Sequence, residues 1–381
     1  MSELFWLLLP VAAYSGWCAA IRYQNKQKTV TENSKSHKNY SEGINNLINT
    51  QPDKAVDIVI DKLDVTPDTV ELHLALGNLF RRTGEVDRAI RLHQNLAEKH
   101  ALSALQRENV LFELGQDYFS AGLLDRAERI FRDLLTTKAY AKPSIKVLIQ
   151  VYQQEKDWHL AIEFSQRYAQ LSEKSQAKYV SHFYCEMAEK NISESLFAEA
   201  ELNLQDALNA DKQCVRAYIL LGGIKFQEKD YNKALKYYLL VLNHDSDYFP
   251  EVLENFVACL PYKTNPLSLM ASISSIKHKE QIDEILCAKP VNEQISNKKA
   301  TSIIENQLVK NPSIKLLEQY LYLLKDSPDS LDKKLAVKLA ESVKLINVRD
   351  ANYRCKQCGF TAHSLHWQCP SCSSWSSIKP K

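Results

Sequence analysis

The 381-residue sequence is poor in glycine, and none of its nine glycines falls in a pattern that cradles phosphate. A nucleotide loop would need a G-x-x-x-x-G-K-[ST] or G-x-G-x-x-G pattern to bring backbone N–H groups to the phosphates. Scarce glycine also disfavours sheet-rich and glycine-loop architectures. We therefore predict a chain dominated by helix, with no nucleotide-binding loop.

Catalytic motifs and a strong charge imbalance are also missing. The sequence contains no H-E-x-x-H, no G-x-S-x-G and no paired carboxylates in a recognisable setting. The formal net charge is only +2, which gives no basic field that would attract nucleic acid. These absences predict a protein that is not an enzyme and has no nucleic-acid partner.

The first 21 residues contain a long stretch without charge. The 18 residues from Leu4 to Ile21 would span about 27 Å as a helix, just enough for a bilayer core. Basic residues follow the stretch, which by the positive-inside rule puts the body in the cytoplasm. We expect 1–21 to be a single-pass transmembrane anchor and 22–39 a linker. A cleaved signal peptide and a buried core helix are the competing interpretations.

A helical repeat follows the linker. Helix pairs such as Val70 to Lys99, with Gly84 at the turn, recur in register around an alanine of the second helix. The alanine spacings are 34, 38, 34, 39 and 34, and 34 is the period of the tetratricopeptide repeat. The sequence thus predicts six such repeats over 40–247 and degenerate helical repeats over 248–346. The aligned alanines are Ala55, Ala89, Ala127, Ala161, Ala200 and Ala234.

Repeat arrays of this kind bind partner segments on a groove lined by their first helices. Polar and amide side chains at groove positions would suit hydrogen bonding to an extended peptide. Alternatively, these positions are merely solvated. The predicted partner-binding residues are Asn78, Arg81, Arg82, Gln116, Phe119 and Gln150, with Lys146 and Gln153 at neighbouring groove positions.

Four of the nine cysteines lie close together at the C-terminus, in the order Cys355, Cys358, Cys369 and Cys372. The C-x-x-C-x10-C-x-x-C spacing predicts two knuckles whose four thiolates hold one iron or zinc ion. Gly359 lets the backbone turn after the second thiolate, so its amide is expected to hydrogen-bond sulfur. The remaining five cysteines are scattered, which is typical of small buried hydrophobes in a reducing compartment.

The same C-terminal segment, Y-x-C-x-x-C-G-F followed by C-P-x-C, resembles rubredoxin and the related zinc ribbons. Its loop between the knuckles is shorter than in rubredoxin, and Ser373 stands where a glycine usually follows the second pair. These differences favour a structural metal clip over 353–381. His363 and His366 are expected at the surface, and Phe360, Trp367 and Trp375 are expected to provide apolar mass.

Several segments together are similar to the lipopolysaccharide assembly protein B family. They are LFWLLLPVAA, GNLFRRTGEVDRAI, HFYCE and the terminal YRCKQCGFTAHSLHWQCPSC with WSSIKP. The resemblance implies an all-α tetratricopeptide-repeat superhelix with an N-terminal transmembrane helix and a small rubredoxin-like metal domain. It also implies an inner-membrane adaptor that promotes turnover of the lipid A pathway's committed-step deacetylase by a membrane-bound AAA+ metalloprotease. Other proteins of lipopolysaccharide synthesis or signalling are further implied partners, and a homo-oligomer is left open.

Two rival functions stay open at this point. In the first, the cysteine site holds iron that cycles between oxidation states, and the protein is a membrane-tethered electron carrier. In the second, a zinc ribbon touches nucleic acid through a few basic side chains, although the rest of the chain has no basic stripe. Those side chains are Arg354, Lys356, Lys379 and Lys381.

Overall fold

The computed structural model describes residues 17, 20–21, 69–99, 102–262, 317, 320–321 and 353–380. The chain divides into two compact units, Met1–Glu173 and Lys174–Lys381. Helices dominate the described residues of both units, as predicted, and strands occur among them only at the C-terminus.

The described part of the first unit forms three helical hairpins, in which each helix packs against the next one along the chain. Gly84 adopts a positive φ of 86° between the first two helices, a conformation that glycine reaches at little cost. Ser103 begins the third helix with a capping box, in which it and Gln106 each satisfy the other's backbone N–H. The helices are α1 (Val70–Arg82), α2 (Val86–Glu98), α3 (Ala104–Ser120), α4 (Leu124–Leu134), α5 (Ala141–Glu155) and α6 (Trp158–Ser172).

Residues 174–262 of the second unit form two hairpins followed by a shorter helix. Asp230 caps the last long helix by accepting a hydrogen bond from the Lys233 amide. The helices are α7 (Ala177–Ser193), α8 (Phe197–Ala210), α9 (Val215–Gln227), α10 (Tyr231–His244) and α11 (Leu253–Cys259), with 3-10 turns at Ser246–Glu251 and Leu260–Tyr262.

Each hairpin buries the predicted alanine of its second helix completely. These residues, called the hairpin alanines below, are Ala89, Ala127, Ala161, Ala200 and Ala234. Ala55, the remaining aligned alanine, lies outside the described residues. An alanine at this position lets the two helices approach closely, which is the packing that the repeat pattern predicts.

Glycines in the first helices make room for rings from the second helices. A Cβ added at Gly222 would lie 2.3 Å from the ring of Tyr238, and one added at Gly115 would lie 2.8 Å from the ring of Phe131. At Gly77 the ring belongs to His93, a histidine in place of an aromatic residue. These glycines therefore allow the two helices of a hairpin to pack closely.

The C-terminal residues form a small three-stranded antiparallel sheet, called the ribbon below. Its strands are β1 (Tyr353–Cys355), β2 (Thr361–Ala362) and β3 (Ile378–Pro380), in the order β2-β1-β3. Tyr353 pairs with Ala362 on one side and with Pro380 on the other. The central strand therefore carries the first metal-ligand candidate, Cys355, at its end.

The predicted localisation, a single-pass protein of the inner membrane, is contradicted by the described helices. Crossing a bilayer takes about 20 consecutive apolar residues in one helix. None of the described helices has that length and apolar character, and the longest of them, α3 and α7, have 17 residues. Most of 1–21 lies outside the described residues.

The predicted degenerate repeats over 248–346 are described only at their start. The sequence predicts one helix from Phe249 to Leu260, whereas the structure has a 3-10 turn over Ser246–Glu251 followed by α11. Pro250 lies inside the turn and cannot donate the hydrogen bond that a continuous α-helix would need. Apart from residues 317 and 320–321, the positions from 263 to 346 lie outside the described residues, and so does the 22–39 linker.

Candidate metal centre and the surface that holds it

The four C-terminal cysteines converge on one point. Their sulfur atoms all lie within 4.8 Å of one another. The Sγ atoms of Cys355 and Cys372 are 3.8 Å apart, and those of Cys358 and Cys369 are 3.6 Å apart. A tetrahedron of thiolates at the zinc–sulfur distance of about 2.3 Å has edges of about 3.8 Å. The cluster is therefore consistent with one metal ion, and the same thiolate set suits iron or zinc.

The two knuckles repeat one backbone turn. The Cys355 N–H donates to the Phe360 carbonyl at 2.7 Å, and the Gly359 N–H donates to the Cys355 carbonyl at 3.0 Å. In the second knuckle the Cys369 N–H donates to Ser374 at 2.9 Å and the Ser373 N–H donates to Cys369 at 2.8 Å. The Gly359 amide thus bonds a carbonyl oxygen and not sulfur, which corrects our expectation, because the turn closes before this amide reaches the thiolate.

Ser373 adopts the same left-handed conformation as the glycine of the first knuckle. Its φ is 56°, against 80° for Gly359. A residue with a Cβ is strained in this region, by roughly 1–2 kcal/mol. The second knuckle therefore keeps the same turn although it has Ser373 in place of glycine. The strain of this serine lowers the stability of the ribbon.

Hydrogen bonds and burial shift the pKa values of three of these thiols in different directions. The Ser377 hydroxyl, 3.4 Å from Cys355 Sγ, together with backbone N–H groups of the knuckle, lowers the pKa of Cys355 to about 6. Hydrogen bonds from Ser374 also lower the pKa of Cys372, whereas burial raises the pKa of Cys369 to about 11. Metal binding requires all four thiols to be deprotonated, so the donors around Cys355 favour the charged form that an ion needs.

The ribbon lies against first helices of the second unit through its two tryptophans. Trp375 stacks on His182 of α7 with ring centroids 4.9 Å apart, and it meets Phe183 edge-on at 5.8 Å. The Arg216 guanidinium of α9 lies 5.6 Å from the Trp367 ring centroid and 6.0 Å from that of Trp375. Trp367 also contacts Tyr248 of the 3-10 turn after α10, with ring centroids 5.0 Å apart.

Arg216 is buried at this contact and is held by two carboxylates. Its side chain is 2% exposed, and its nitrogens lie 2.8 Å from carboxylate oxygens of Glu186 and Glu189 on α7. A buried cation is stable only when it is paired in this way. The Arg216 guanidinium therefore joins α9 to α7 through its ion pairs. Its planar face lies toward the ribbon's indole rings, where cation–π attraction operates.

His182 is neutral in this contact. Burial, with the nearby charges of Arg216 and Lys178, lowers the pKa of His182 to about 3. Its Nε2 lies 2.7 Å from the Ser376 hydroxyl oxygen of the ribbon. A neutral imidazole can stack on an indole and bond the hydroxyl without bringing a second buried charge beside Arg216.

Hydrogen bonds and ion pairs also connect the ribbon to residues 245–251. The Tyr248 hydroxyl donates to the Ile378 carbonyl at 3.0 Å, and the Tyr353 hydroxyl donates to Glu251 at 2.7 Å. Lys356 bonds Asp247 at 2.8 Å. Lys379 bonds Asp245 and lies 3.4 Å from Asp247. Two of the four basic residues considered for nucleic-acid contact are thus paired with carboxylates of the second unit.

The predicted partner-binding residues of the first unit are placed differently from one another. Arg82 and Gln150 are exposed, whereas Asn78, Gln116 and Phe119 are half-buried. Arg81 bonds Glu113 at 2.6 Å and Asp117 at 2.7 Å, so its guanidinium connects α1 to α3. Asp117 is buried and also lies 2.5 Å from His93 Nδ1. Arg81 therefore stabilises the packing of α1 against α3. Its groove position in the repeat did not predict this role.

Sequence reasoning missed the residues that hold the ribbon, namely His182, Arg216 and Tyr248. One signal was present: His182 and Arg216 each stand 18 residues before the hairpin alanine of their own repeat. Equivalent positions in consecutive repeats lie on the same face of the array. The predicted surface histidines, His363 and His366, are both exposed.

Comparisons with known proteins agree with this geometry. The family described as rubredoxin metal binding domain matches residues 353–380. Lipopolysaccharide assembly protein B of Escherichia coli (strain K12) is 35% identical over 385 residues, which covers 100% of this chain and 98% of that protein. The protein of the same name from Haemophilus influenzae (strain ATCC 51907 / DSM 11121 / KW20 / Rd) is 32% identical over 392 residues, with 100% and 98% covered.

Among solved structures, the crystal structure of MamA protein is similar to part of the helical array. It has a TM-score of 0.33 and 19% sequence identity, and the match covers 48% of this chain and 94% of that one.

Proposed function

The chain belongs to the lipopolysaccharide assembly protein B family, and we propose that it acts in lipopolysaccharide assembly as a non-catalytic adaptor. In this proposal the helical array holds a client protein and presents it to an AAA+ protease. The client is the deacetylase of the committed step of the lipid A pathway, so client turnover sets how much lipopolysaccharide is made. Family membership and the implied partners of the resemblance support the assignment.

The observation that carries the proposal is the contact of helices α7 and α9 with the ribbon. Two consecutive hairpins contact the indole rings of the ribbon through side chains of their first helices. These side chains are His182 and Arg216. This face thus already binds a protein surface within the same chain. Because the hairpins repeat, we infer that the corresponding face of the first unit binds another protein.

The repeat register gives the residues that we propose for that face. Asn78, Gln116 and Gln150 each stand eleven residues before their hairpin alanine, as Glu189 does in the second unit. The Asn78 Oδ1 atom is buried and has no hydrogen-bond partner among the described residues. An unpaired amide acceptor is costly unless an N–H donor reaches it, which a bound peptide backbone would supply. Phe119 adds an apolar contact, and Arg82 is an exposed cation near the end of α1.

The ribbon would complete the adaptor by stiffening the second unit. Four thiolates around one ion replace the hydrophobic core that a fold of about 30 residues cannot build for itself. Substituting a single ligand, as in Cys369→Ser, should release the metal, loosen the ribbon and abolish client turnover. Ser371→Ala, an exposed change between two ligands, should alter neither. Full client turnover by a metal-free variant would refute this part of the proposal.

A reconstituted degradation assay tests the adaptor role directly. Purified protease and deacetylase would be incubated with and without the full-length chain, and the half-life of the deacetylase measured. We expect the chain to shorten that half-life, and Asn78→Ala with Gln150→Ala to lengthen it again. Arg129→Ala, an exposed change on a second helix, is the matched control. A client half-life that is the same with and without the chain would refute the adaptor function.

Site-specific crosslinking in living cells tests the face itself. A photoreactive amino acid at Gln116 should capture the deacetylase, whereas the same amino acid at Arg129 should not. Capture of the client from Arg129 alone would place the binding surface elsewhere. A homo-oligomer would appear in the same experiment as a crosslink between two copies of this chain.

An iron electron carrier is the second candidate, and the exposure of one ligand favours it. Cys358 is exposed while Cys355 and Cys369 are buried, so a redox partner could approach the cluster at its outer edge. The colour of the purified protein separates the two functions. A red sample that bleaches reversibly on reduction would support electron transfer, and a colourless sample that contains zinc would exclude it.

A further inference from the structure

Two of the scattered cysteines meet in the core of the second unit. Cys185 lies in the middle of α7, and Cys214 is the residue that precedes the first turn of α9. Their sulfur atoms are 3.8 Å apart although 29 positions separate them along the chain, and both side chains are buried. Around them are small or aliphatic residues of the same apolar cluster, including Ala188, Ala217 and Leu221.

The surroundings of the two sulfurs are unequal. Cys214 stands at a helix N-terminus, where the partial positive charge of the backbone N–H groups stabilises a thiolate. The hydrogen bond from Cys185 and that from the Ala217 backbone lower the pKa of Cys214 to about 7, despite burial. Burial and the Cys214 partner raise the pKa of Cys185 well above its usual value. Cys214 is therefore the nucleophile of the pair, and Cys185 is the thiol that keeps its proton.

We propose that Cys185 and Cys214 form a redox modification site that closes to an intramolecular disulfide when a small peroxide enters the second unit. The sulfurs must approach by about 1.8 Å to reach the bond length of about 2.05 Å. Cys214 lies at the junction between α8 and α9, outside the regular part of both helices, so a side-chain rotation and a small junction movement can supply this approach. Burial favours hydrogen peroxide over bulkier oxidants.

The chemistry balances with one peroxide molecule. The Cys214 thiolate attacks one peroxide oxygen, the O–O bond breaks, and Cys214 sulfenic acid and hydroxide form. The Cys185 sulfur then attacks the sulfenic sulfur and expels its oxygen, which leaves as water with the proton of Cys185. Hydroxide combines with the proton that Cys214 had lost, so two thiols and one peroxide become one disulfide and two waters.

The disulfide would act on the surface that holds the ribbon. Cys185 directly precedes Glu186, and Cys214 stands two residues before Arg216. The Arg216–Glu186 bond of 2.8 Å already joins α7 to α9, and the new covalent bond would join α7 to the residue that precedes α9. Oxidation would therefore lock the position of Arg216 under the ribbon's tryptophans.

The test uses the full-length, metal-loaded and fully reduced protein. It is treated with hydrogen peroxide, free thiols are alkylated under denaturing conditions, and the digest is analysed by mass spectrometry without reduction. We expect a linked peptide pair that contains Cys185 and Cys214, lighter by two hydrogen atoms and lost on reduction. A chelating dye present throughout reports whether the metal site has been destroyed. If both cysteines remain alkylated, or pair only with ribbon cysteines, the proposal is wrong.

Variants test the assigned roles and provide a matched control. Cys185→Ala should leave Cys214 as a sulfenic acid that a cyclic 1,3-dione traps, whereas Cys214→Ala should leave Cys185 unreactive. Cys259→Ala, which removes another buried thiol of the same unit, should form the disulfide as readily as the parent protein. The reverse pattern, with Cys185 trapped and Cys214 inert, would overturn the assignment of the nucleophile. The wild-type measurement decides the proposal even if a variant fails to fold.

Discussion

Truncation of Arg216 should weaken the contact between the ribbon and helices α7 and α9 more than any change to an exposed ion pair. The Glu186 partner is 28% exposed, so losing this charge-assisted hydrogen bond costs about 1.5 kcal/mol. The Glu189 partner is 40% exposed, and solvent screening reduces its bond to about 0.5 kcal/mol.

Arg216→Ala would lose stabilising free energy in two further ways, from the guanidinium face and from the aliphatic part of the side chain. The cation–π contacts with the ribbon's two indole rings are together worth about 1 kcal/mol. Removing the buried aliphatic stem leaves a cavity that costs about 1 kcal/mol. Arg216→Ala should therefore destabilise the second unit by about 3–4 kcal/mol, in line with breaking other buried ion pairs.

Urea unfolding followed by tryptophan fluorescence measures this effect. Replacing Trp6, Trp17 and Trp158 with phenylalanine leaves the two ribbon tryptophans as the only reporters. With a urea dependence of about 2 kcal/mol/M, the midpoint should fall by about 1.5–2 M in Arg216→Ala.

The control for Arg216 is an exposed ion pair in the same unit. Lys233 bonds Asp230 at 2.9 Å, but its side chain is 64% exposed. Lys233→Ala should therefore shift the midpoint by less than about 0.5 M. If Arg216→Ala behaved like Lys233→Ala, burial of the guanidinium would not be what holds the ribbon, and the reasoning would be refuted.

Four other substitutions have expected effects that follow directly from the structure. Gly222→Ala should destabilise by about 2 kcal/mol or more, because the new Cβ would lie 2.3 Å from the Tyr238 ring. Gly223→Ala, whose Cβ meets nothing within 4 Å, should stabilise the same helix by up to about 1 kcal/mol. Ser373→Gly should stabilise the metal-loaded ribbon by about 1 kcal/mol by relieving its left-handed strain, measured as resistance to a chelator. His182→Gln should flatten the pH dependence of stability below about pH 6.5, measured by urea unfolding at pH 7 and pH 5.

The sign of the His182 effect follows from its pKa. Folding lowers that pKa from 6.5 to about 3, so between these values the unfolded chain binds a proton that the folded chain does not. The stability is fully present above about pH 6.5 and falls by up to about 1.4 kcal/mol for each pH unit below it. A profile that is equally steep in His182→Gln would contradict this assignment. For the glycines, equal midpoints for the Gly222 and Gly223 variants would contradict the packing argument.

The sequence alone determined the features that depend on neighbours along the chain. The C-x-x-C pairs predict their own turns, and the four ligands could be named because each pair presents two sulfurs to one side. The hairpins could be predicted because helical periodicity and the 34-residue spacing are local patterns. The apolar run over 1–21 is a local pattern of the same kind, but most of that segment lies outside the described residues.

The tertiary structure decided which distant residues meet. His182 and Ser376 are 194 positions apart, and no periodicity links an α-helical histidine to a serine of the ribbon. Arg81 occupies a groove position by register, yet only the packing of α1 on α3 directs it to Glu113. Cys185 and Cys214 looked like two unrelated buried thiols until folding brought them into contact. In each case the contact depends on how helices pack over long sequence separations, and side-chain identity in one segment does not specify its neighbour in another.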